Sequence, residues 1–411
     1  MKRNLGSRLS TMQKTGEIKT ARQVAETHEN NQFKSLFPCE DREEKTPFGR
    51  CYLRELYFPL DHLHGRSNLF AVLNCRGPGL ALPSRDSSFN DFDPRKAIFL
   101  DIETTGLAGG TGTWAFLIGL GKIEKDFFVL HQYFLRKPKE EKAILSHFNK
   151  TVSGYSTLIT FNGKLFDLPL LQTRQLLAGI NLCEPDQHLD LLQCARALWK
   201  KRLPSRSLSS LEEALLGLQR KDDLPGAEIP GVYFEYLRKG KTGRLKKVFE
   251  HNVLDILSMV TLLEKIYQTA GGFKLEHPAE ALALGTLCLE EGKNDRGIGY
   301  LREAADCNIK ALSEEASLEL SLYFKKEGRW EEAAAIWQEA VNSNQSNPRA
   351  YVELAKYYEH RCREYHTALK LTEKALAITR LNREIKFIKN KELRPEALQH
   401  RLNRLKRRLC S

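Results

Sequence analysis

Residues 97–103, AIFLDIE, have the apolar composition of a buried strand, yet two of them are acidic. Successive side chains of a strand point to opposite faces, so Asp101 and Glu103 point the same way. Two carboxylates on one face of a buried strand repel each other and are costly to bury unless a cation lies between them. A hydrated strand end is the alternative. The Thr104-Thr105-Gly106 turn that follows favours ligand binding, because it exposes the strand end, and we predict Thr104 and Gly106 as substrate-binding residues.

The segments after this strand predict a mixed α/β domain over residues 96–270. Two more apolar strands follow, joined by a short charged turn, and then come helix–strand–helix units. Three strands followed by such units are typical of a mixed sheet flanked by helices. The predicted strands lie at 97–103, 114–123, 127–135 and 157–161, and the predicted helices at 139–150, 169–179, 189–200, 209–217 and 246–268.

The rest of the chain differs in composition from this central domain. Residues 1–45 are polar and predict a disordered segment, whereas residues 46–95 are punctuated by Gly and Pro and predict a strand-rich prelude. Residues 276–380 are rich in Ala, Leu, Glu and Lys. There small residues recur at Ala304, Ala340 and Ala375, in steps of 36 and 35. This period resembles that of tetratricopeptide repeats, with helix pairs near 279–305, 313–342 and 347–378.

Residues 381–411 form a basic tail, which is either a solvated helix or a phosphate-contacting segment. The net charge of +12 favours a polyanionic partner, chiefly nucleic acid. The nine cysteines contain no C-x-x-C pair, so we expect reduced thiols and a cytoplasmic location. No apolar h-region opens the sequence and no apolar run reaches the roughly 18 residues of a membrane span, so we expect neither a secretory signal nor membrane binding.

Two further acidic positions have the context of a metal site. Asp167 follows a strand that ends in an Asn-Gly turn, where Asn162 and Lys164 add an amide and a cation suited to a phosphate or a metal-bound water. A helix N-cap is the alternative for Asp167, because Pro169 lies two residues later. His251 and Asp255 are four residues apart and share one face of a helix. There a carboxylate can bind metal while the imidazole takes a proton, although surface His–Asp pairs at this spacing are common.

Several other polar or glycine positions have simpler interpretations. Asp190 favours a helix cap, and Asp223 lies in a charged stretch that predicts a loop. The Ser209-x-x-Glu212 spacing predicts a capping box. Gly121 precedes Lys122 without the spacing of a phosphate-binding loop, and we expect it to let a substrate strand approach the backbone closely.

The sequences DIETTG, NGKLFDLP and a late helix with His251-x-x-x-Asp255, in this order, resemble the three motifs of the DEDD exonuclease branch of the ribonuclease H-like superfamily. Together with the helical repeats, residues 46–380 resemble the bacterial YprB-type family of predicted exonucleases. The resemblance implies a ribonuclease H-like α/β domain, with three antiparallel strands and then parallel ones, followed by an all-α tetratricopeptide-like domain.

The resemblance also implies the site residues. Asp101, Glu103, Asp167 and Asp255 would bind two Mg²⁺ or Mn²⁺ ions, and His251 would orient or deprotonate the attacking water. The sequence departs from the family in one respect. A catalytic His usually lies five residues before the last Asp and a catalytic Tyr four, whereas here a His has the Tyr spacing, so the general base stays open.

The function that follows is a metal-dependent 3′–5′ exonuclease acting on DNA or RNA, with the basic stretch 238–247 beside the metals as a backbone contact or a solvated loop. One alternative is a non-catalytic scaffold that binds nucleic acid and uses the repeats to hold a protein partner. Another is an endonuclease on the same fold. The intact carboxylate set favours the exonuclease, because a pure binder has no need of four acids that are costly to bury.

Overall fold

The computed structural model describes residues 37, 39–106, 111–181, 183–343, 348–382 and 391–410. The chain divides into two compact units, Met1–Phe273 and Lys274–Ser411, each with its own hydrophobic core. The predicted disorder of residues 1–36 and 38, and the part of the predicted tail at 383–390, lie outside the described residues. Within the described ranges, no helix combines the length and apolar character needed to cross a membrane.

The first unit is built on a seven-stranded sheet of order β1-β2-β7-β6-β5-β8-β9, beside a small β3–β4 hairpin. Strands β5, β6 and β7 are antiparallel, whereas β8 and β9 continue the sheet parallel to β5. This confirms the predicted mixed sheet. The strands are β1 Cys39–Thr46, β2 Gly49–Pro59, β3 Leu63–His64, β4 Ser67–Asn68, β5 Ala97–Thr104, β6 Ala115–Glu124, β7 Phe127–Phe134, β8 Thr157–Thr160 and β9 Gln187–Asp190.

The prediction of disorder up to residue 45 was wrong for residues 39–45, which belong to β1. This strand pairs antiparallel with β2 at the outer edge of the sheet. The buried Arg54 of β2 donates two hydrogen bonds to Asp41 of β1, at 2.8 and 3.2 Å. Charged residues are a usual feature of edge strands, since they discourage pairing with other chains. Here their high content led to a prediction of disorder for residues that form a strand.

Helices flank this sheet, and the longest of them, α7, runs across its centre. Helix α5 continues directly into a π-helical turn at Glu212–Leu216. The helices of the first unit are α1 Ala81–Ser84, α2 Glu141–Val152, α3 Asp167–Ala178, α4 Leu191–Trp199, α5 Leu208–Leu211, α6 Ile229–Lys239 and α7 Leu245–Gly271. Short 3₁₀ turns lie at Leu69–Asn74, Ser87–Asp91, Pro94–Lys96, Pro138–Glu140 and Gly226–Glu228.

Two glycines of β6 bring α7 close to the sheet. A Cβ atom at Gly119 would lie 2.4 Å from Asn252 Oδ1, and one at Gly121 would lie 2.6 Å from Ile256 Cγ2. Both partners belong to α7. The expectation that Gly121 admits a substrate strand was therefore wrong, because a helix of the protein itself occupies that face.

We expect Gly119→Ala to lower the free energy of unfolding by about 1–3 kcal/mol, because the new methyl group must displace Asn252 or Ile256 in a packed core. Urea unfolding followed by circular dichroism measures the change. Gly231→Ala is the matched control, since its Cβ meets no atom within 4 Å. A Gly119→Ala protein as stable as the control variant would contradict the close packing.

The second unit is entirely helical within the described residues, which confirms the predicted change of fold class. Gly292 and Gly328 have φ angles of +70° and +76° and end the first helix of two successive pairs. The recurring Ala304, Ala340 and Ala375 are all buried, and the tetratricopeptide character of the repeats stays a prediction. The helices are α8 Pro278–Glu290, α9 Asn294–Ala305, α10 Lys310–Lys326, α11 Trp330–Asn342, α12 Pro348–Tyr357, α13 Tyr365–Asn382 and α14 Pro395–Cys410, with a π-helical turn at Tyr358–Cys362.

The basic tail contains helix α14, which packs as part of the helical unit and is not merely solvated. Its buried leucines follow helical spacing, and Leu398 and Leu402 belong to the core of this unit. Arg401 and Arg404 pair with the buried Glu359 at 2.6 and 2.7 Å. These two arginines are therefore engaged within the helical unit, whereas a phosphate contact by the other basic residues of this segment stays a prediction.

Candidate active site

A buried chain of amides holds the first carboxylate of the predicted site. Asp101 lies opposite Gly119 on the neighbouring strand, and Gly119 lies opposite Gln132 on the next. Gln132 Nε2 donates to Asn252 Oδ1 at 2.8 Å, and Asn252 Nδ2 donates to Asp101 Oδ2 at 2.8 Å. Asn252 thus orients Asp101. Gln132 was missed, although a buried amide within an apolar strand is a signal for it.

The four predicted carboxylates are close enough to influence one another. Burial raises the pKa of Asp101 well above its usual value, and the charges of Asp255 and Asp167 add to this. Burial also raises the pKa of Glu103 well above its usual value, and the charge of Asp101 is the next largest cause. Burial, with Asp190 and Asp255, raises the pKa of Asp167 to about 7. The charges of the four carboxylates therefore act on one another.

Asp167 is the first residue of α3, and no side chain caps that helix. The N-cap alternative for Asp167 is therefore not realised. Asp190 does cap a helix, as predicted, because its Oδ1 accepts from the Leu192 amide of α4 at 3.0 Å. The same carboxylate accepts hydrogen bonds from the backbone N–H groups of Asn162 at 2.8 Å and Lys164 at 3.3 Å, and so holds the turn before α3.

A pocket of about 240 Å³ adjoins Glu103 and Asp167. Two of the predicted substrate-binding residues, Thr104 and Gly106, line it, together with the half-exposed Phe166. The other lining residues are Ile102, Leu170, Gly226, Ile229 and Pro230. One wall of the pocket is therefore apolar and suits a ligand with a ring. The other wall carries carboxylates, which repel an anionic group unless a cation lies between them.

The other two predicted substrate-binding residues lie to the side of this pocket. Asn162 has a φ of +66° in the turn that Asp190 holds. Lys164 is exposed. The pKa of His188 is lowered to about 4, first by the burial of His188 and second by the charge of Lys164. Their backbones shape the approach to α3, whereas their role as substrate contacts stays a prediction.

His251 lies between two carboxylates. Its Nδ1–H donates to Asp223 Oδ1 at 2.8 Å, and its Nε2 lies 3.6 Å from Asp255 Oδ2. Burial alone would lower the pKa of His251, but the hydrogen bond to Asp223 and the charge of Asp255 raise it. Burial also opposes ionisation of Asp223, yet the hydrogen bond from His251 lowers its pKa to about 2. Asp223, assigned to a loop from the sequence, is thus part of the site.

Arg220 also enters the site, and the sequence contains no signal for it beyond a run of charges. Its guanidinium donates to Asp255 Oδ1, to Glu212 Oε2 at 2.8 Å and to Asp223 Oδ2 at 3.1 Å. The capping-box interpretation of Glu212 was wrong. Ser207 caps α5 instead, since its Oγ accepts from the Ser210 amide, and Glu212 is buried against Arg220.

The donor set fits divalent cations, since carboxylate oxygens are the ligands that Mg²⁺ and Mn²⁺ prefer. A bound cation would also relieve the mutual repulsion that raises the pKa values of Asp101 and Glu103. In the present geometry of the described residues, no three His, Cys, Asp or Glu side chains are close enough together to form a ready-made metal site.

Residues 98–267, from β5 into α7, match the RNase H superfamily. The first unit thus contains a domain of a superfamily of nucleic-acid-processing proteins, whose nucleases generally use divalent metal ions. Over 373 residues the chain is also 34% identical to the uncharacterized protein YprB of Bacillus subtilis strain 168, an alignment that covers 88% of this chain and 87% of that protein. The chain belongs to the YprB family of the RNase H superfamily.

Proposed function

We propose that this protein is a metal-dependent 3′–5′ exonuclease of the DEDD type that hydrolyses phosphodiester bonds in DNA or RNA. The observation that carries the proposal is that the charges of Asp101, Glu103, Asp167 and Asp255 act on one another in a ribonuclease H-like domain, where Glu103 and Asp167 line a pocket. Burial and repulsion between carboxylates raise the pKa values of Asp101, Glu103 and Asp167. Strongly shifted pKa values of this kind are common at functional sites.

Asp101, Glu103, Asp167 and Asp255 would hold two Mg²⁺ or Mn²⁺ ions. When bound, such ions would supply an activated water and stabilise the leaving oxygen. His251 accepts the proton of the attacking water at Nε2, because Asp223 holds its Nδ1–H at 2.8 Å. The proposed sequence of events needs Asp255 to move away from His251 and Arg220 first.

The pocket beside Glu103 supports attack at a strand end. Its volume of about 240 Å³ suits a single nucleobase. The half-exposed ring of Phe166 offers a stacking surface that tolerates any base. Thr104 and Gly106 line the side that adjoins Glu103, where the scissile phosphate would lie.

The basic stretch 238–247 supports a contact to the nucleic-acid backbone only after its ion pairs open. Arg244 pairs with Glu228, Lys246 lies 3.5 Å from Glu250, and Lys247 lies 2.7 Å from Asp222. Exposed pairs of this kind are worth about 0–1 kcal/mol. Phosphates could therefore replace these acidic partners at little cost.

The scaffold alternative draws its support from the helical unit. A groove of about 590 Å³ lies between α9, α10 and α11, with polar side chains such as Arg302, Ser317 and Glu339 along it. Stacked helix pairs commonly present such surfaces to partners. In this alternative the helical unit would hold a protein partner.

All nine cysteines are free thiols, which fits the proposed cytoplasmic location.

Degradation of 5′-labelled single-stranded DNA and RNA by the purified protein tests the proposal. We expect a ladder that shortens from the 3′ end with Mg²⁺ or Mn²⁺ and disappears with EDTA. A circular single-stranded DNA of the same sequence is the matched control, since an exonuclease leaves it intact and an endonuclease linearises it. Binding without cleavage of either substrate would favour the scaffold.

A further inference from the structure

The carboxylate centre already contains a cation of its own. The guanidinium of Arg220 donates to Asp255 Oδ1, while Asp255 Oδ2 faces His251 Nε2 at 3.6 Å. Both oxygens of this carboxylate are therefore directed at cationic or proton-bearing groups. Arg220 thus pairs with one oxygen of Asp255, and His251 lies next to the other.

Arg220 is also held in place by two acidic side chains other than Asp255. Glu212, whose side chain is 2% exposed, receives bonds from Nε and Nη2, and Asp223 receives one from Nη1 at 3.1 Å. Burial alone would lower the pKa of Arg220, but Asp255 and Glu212 raise it, so the guanidinium stays charged. The anchor on Glu212 would persist if the contact with Asp255 were broken.

We propose that Arg220 is the resident counter-cation of the carboxylate centre. It neutralises Asp255 in the metal-free protein and must release this carboxylate before a divalent ion can bind there. The inference rests on the proposed role of Asp255 as a metal ligand and adds a residue that sets the metal affinity.

The physical reason is direct competition between two cations for one carboxylate. A divalent ion that displaces Arg220 must compensate for the lost ion pair, and it also feels the repulsion of the guanidinium nearby. Arg220→Gln removes both effects. We therefore expect Mn²⁺ to bind Arg220→Gln about tenfold more tightly than the unchanged protein, since partly buried charges interact by one or more kcal/mol.

The experiment is a titration of full-length, metal-free protein with Mn²⁺, in which free Mn²⁺ is measured by electron paramagnetic resonance. It needs no substrate and no nuclease activity. Arg50→Gln is the matched control, because Arg50 pairs with Glu43 at 3.1 Å on the outer strands of the sheet, and we expect its Mn²⁺ affinity to be unchanged. Circular dichroism checks that each variant is folded.

Arg220→Lys separates competition from a general charge effect and replaces Arg220→Gln if that variant does not fold. Lysine keeps the charge but lacks the planar fork that bridges Glu212 and Asp255. Competition predicts that Mn²⁺ also binds Arg220→Lys more tightly than the unchanged protein. Equal affinity for Arg220→Lys and the unchanged protein, or equal or weaker binding by Arg220→Gln, would overturn the inference.

The outcomes for Arg220 and for the proposed nuclease can be told apart. Metal-dependent cleavage with unaltered Mn²⁺ affinity in both variants would overturn the role of Arg220 alone. Tighter Mn²⁺ binding by the variants without any cleavage would support the role of Arg220 and count against the nuclease. Absence of Mn²⁺ binding in every protein would overturn both.

Discussion

Asp101→Asn is expected to abolish metal-dependent cleavage, with a loss of at least about a thousandfold, while the protein remains folded. The amide is a poor ligand for Mg²⁺ and removes one of the converging charges. It keeps the shape of the side chain and can still accept the hydrogen bond from Asn252. The rate is measured under single-turnover conditions with a 5′-labelled strand.

Stability provides a second, independent readout for the same variant. Burial and neighbouring acids raise the folded-state pKa of Asp101, so its ionised form destabilises the metal-free fold near neutral pH. A neutral amide removes this penalty, and we expect the metal-free melting temperature of Asp101→Asn to equal or exceed that of the unchanged protein.

Asp126→Asn, in the exposed turn between β6 and β7, is the matched control for activity. Wild-type cleavage by Asp101→Asn would refute the assignment of the site.

His251→Gln is expected to slow the chemical step by about a hundredfold to a thousandfold and to leave Mn²⁺ binding nearly intact. General-base catalysis contributes an effect of about 10²–10⁴ in rate. Glutamine has a similar reach but cannot take a proton from water. We expect the change in kcat rather than in KM, because His251 contacts Asp223 and Asp255 rather than the apolar wall of the pocket.

The measurement for His251→Gln is the single-turnover rate at saturating Mn²⁺, beside the affinity from the Mn²⁺ titration. His366→Gln, on an exposed position of α13, is the matched control. A wild-type rate in His251→Gln would assign proton removal to another group and show that the four-residue spacing to Asp255 does not mark a general base here. A slow variant with intact metal binding would resolve the ambiguity of that spacing.

The central strand and the mixed α/β character of the domain could be predicted from the sequence, because apolar runs and helical spacing are short-range patterns. The apolar run that contains Asp101 and Glu103 identifies β5 as a buried strand, and it lies between β6 and β8. Helical spacing likewise placed His251 and Asp255 on one face of α7. The strand β1 escaped prediction, because its charged residues at the sheet edge have the composition of a disordered segment.

The sequence by itself determined the fold class and the choice of candidate carboxylates. Each acidic residue within an apolar strand or helix can be recognised from its own segment alone. Only the tertiary structure decided what orients and neutralises them. The bond between Gln132 and Asn252 joins residues 120 positions apart, and that between Asn252 and Asp101 spans 151 positions. Arg220 reaches Asp255 across 35 positions from a stretch that lacks any periodic pattern. Such contacts depend on how α7 packs over the sheet, and no local spacing encodes that packing.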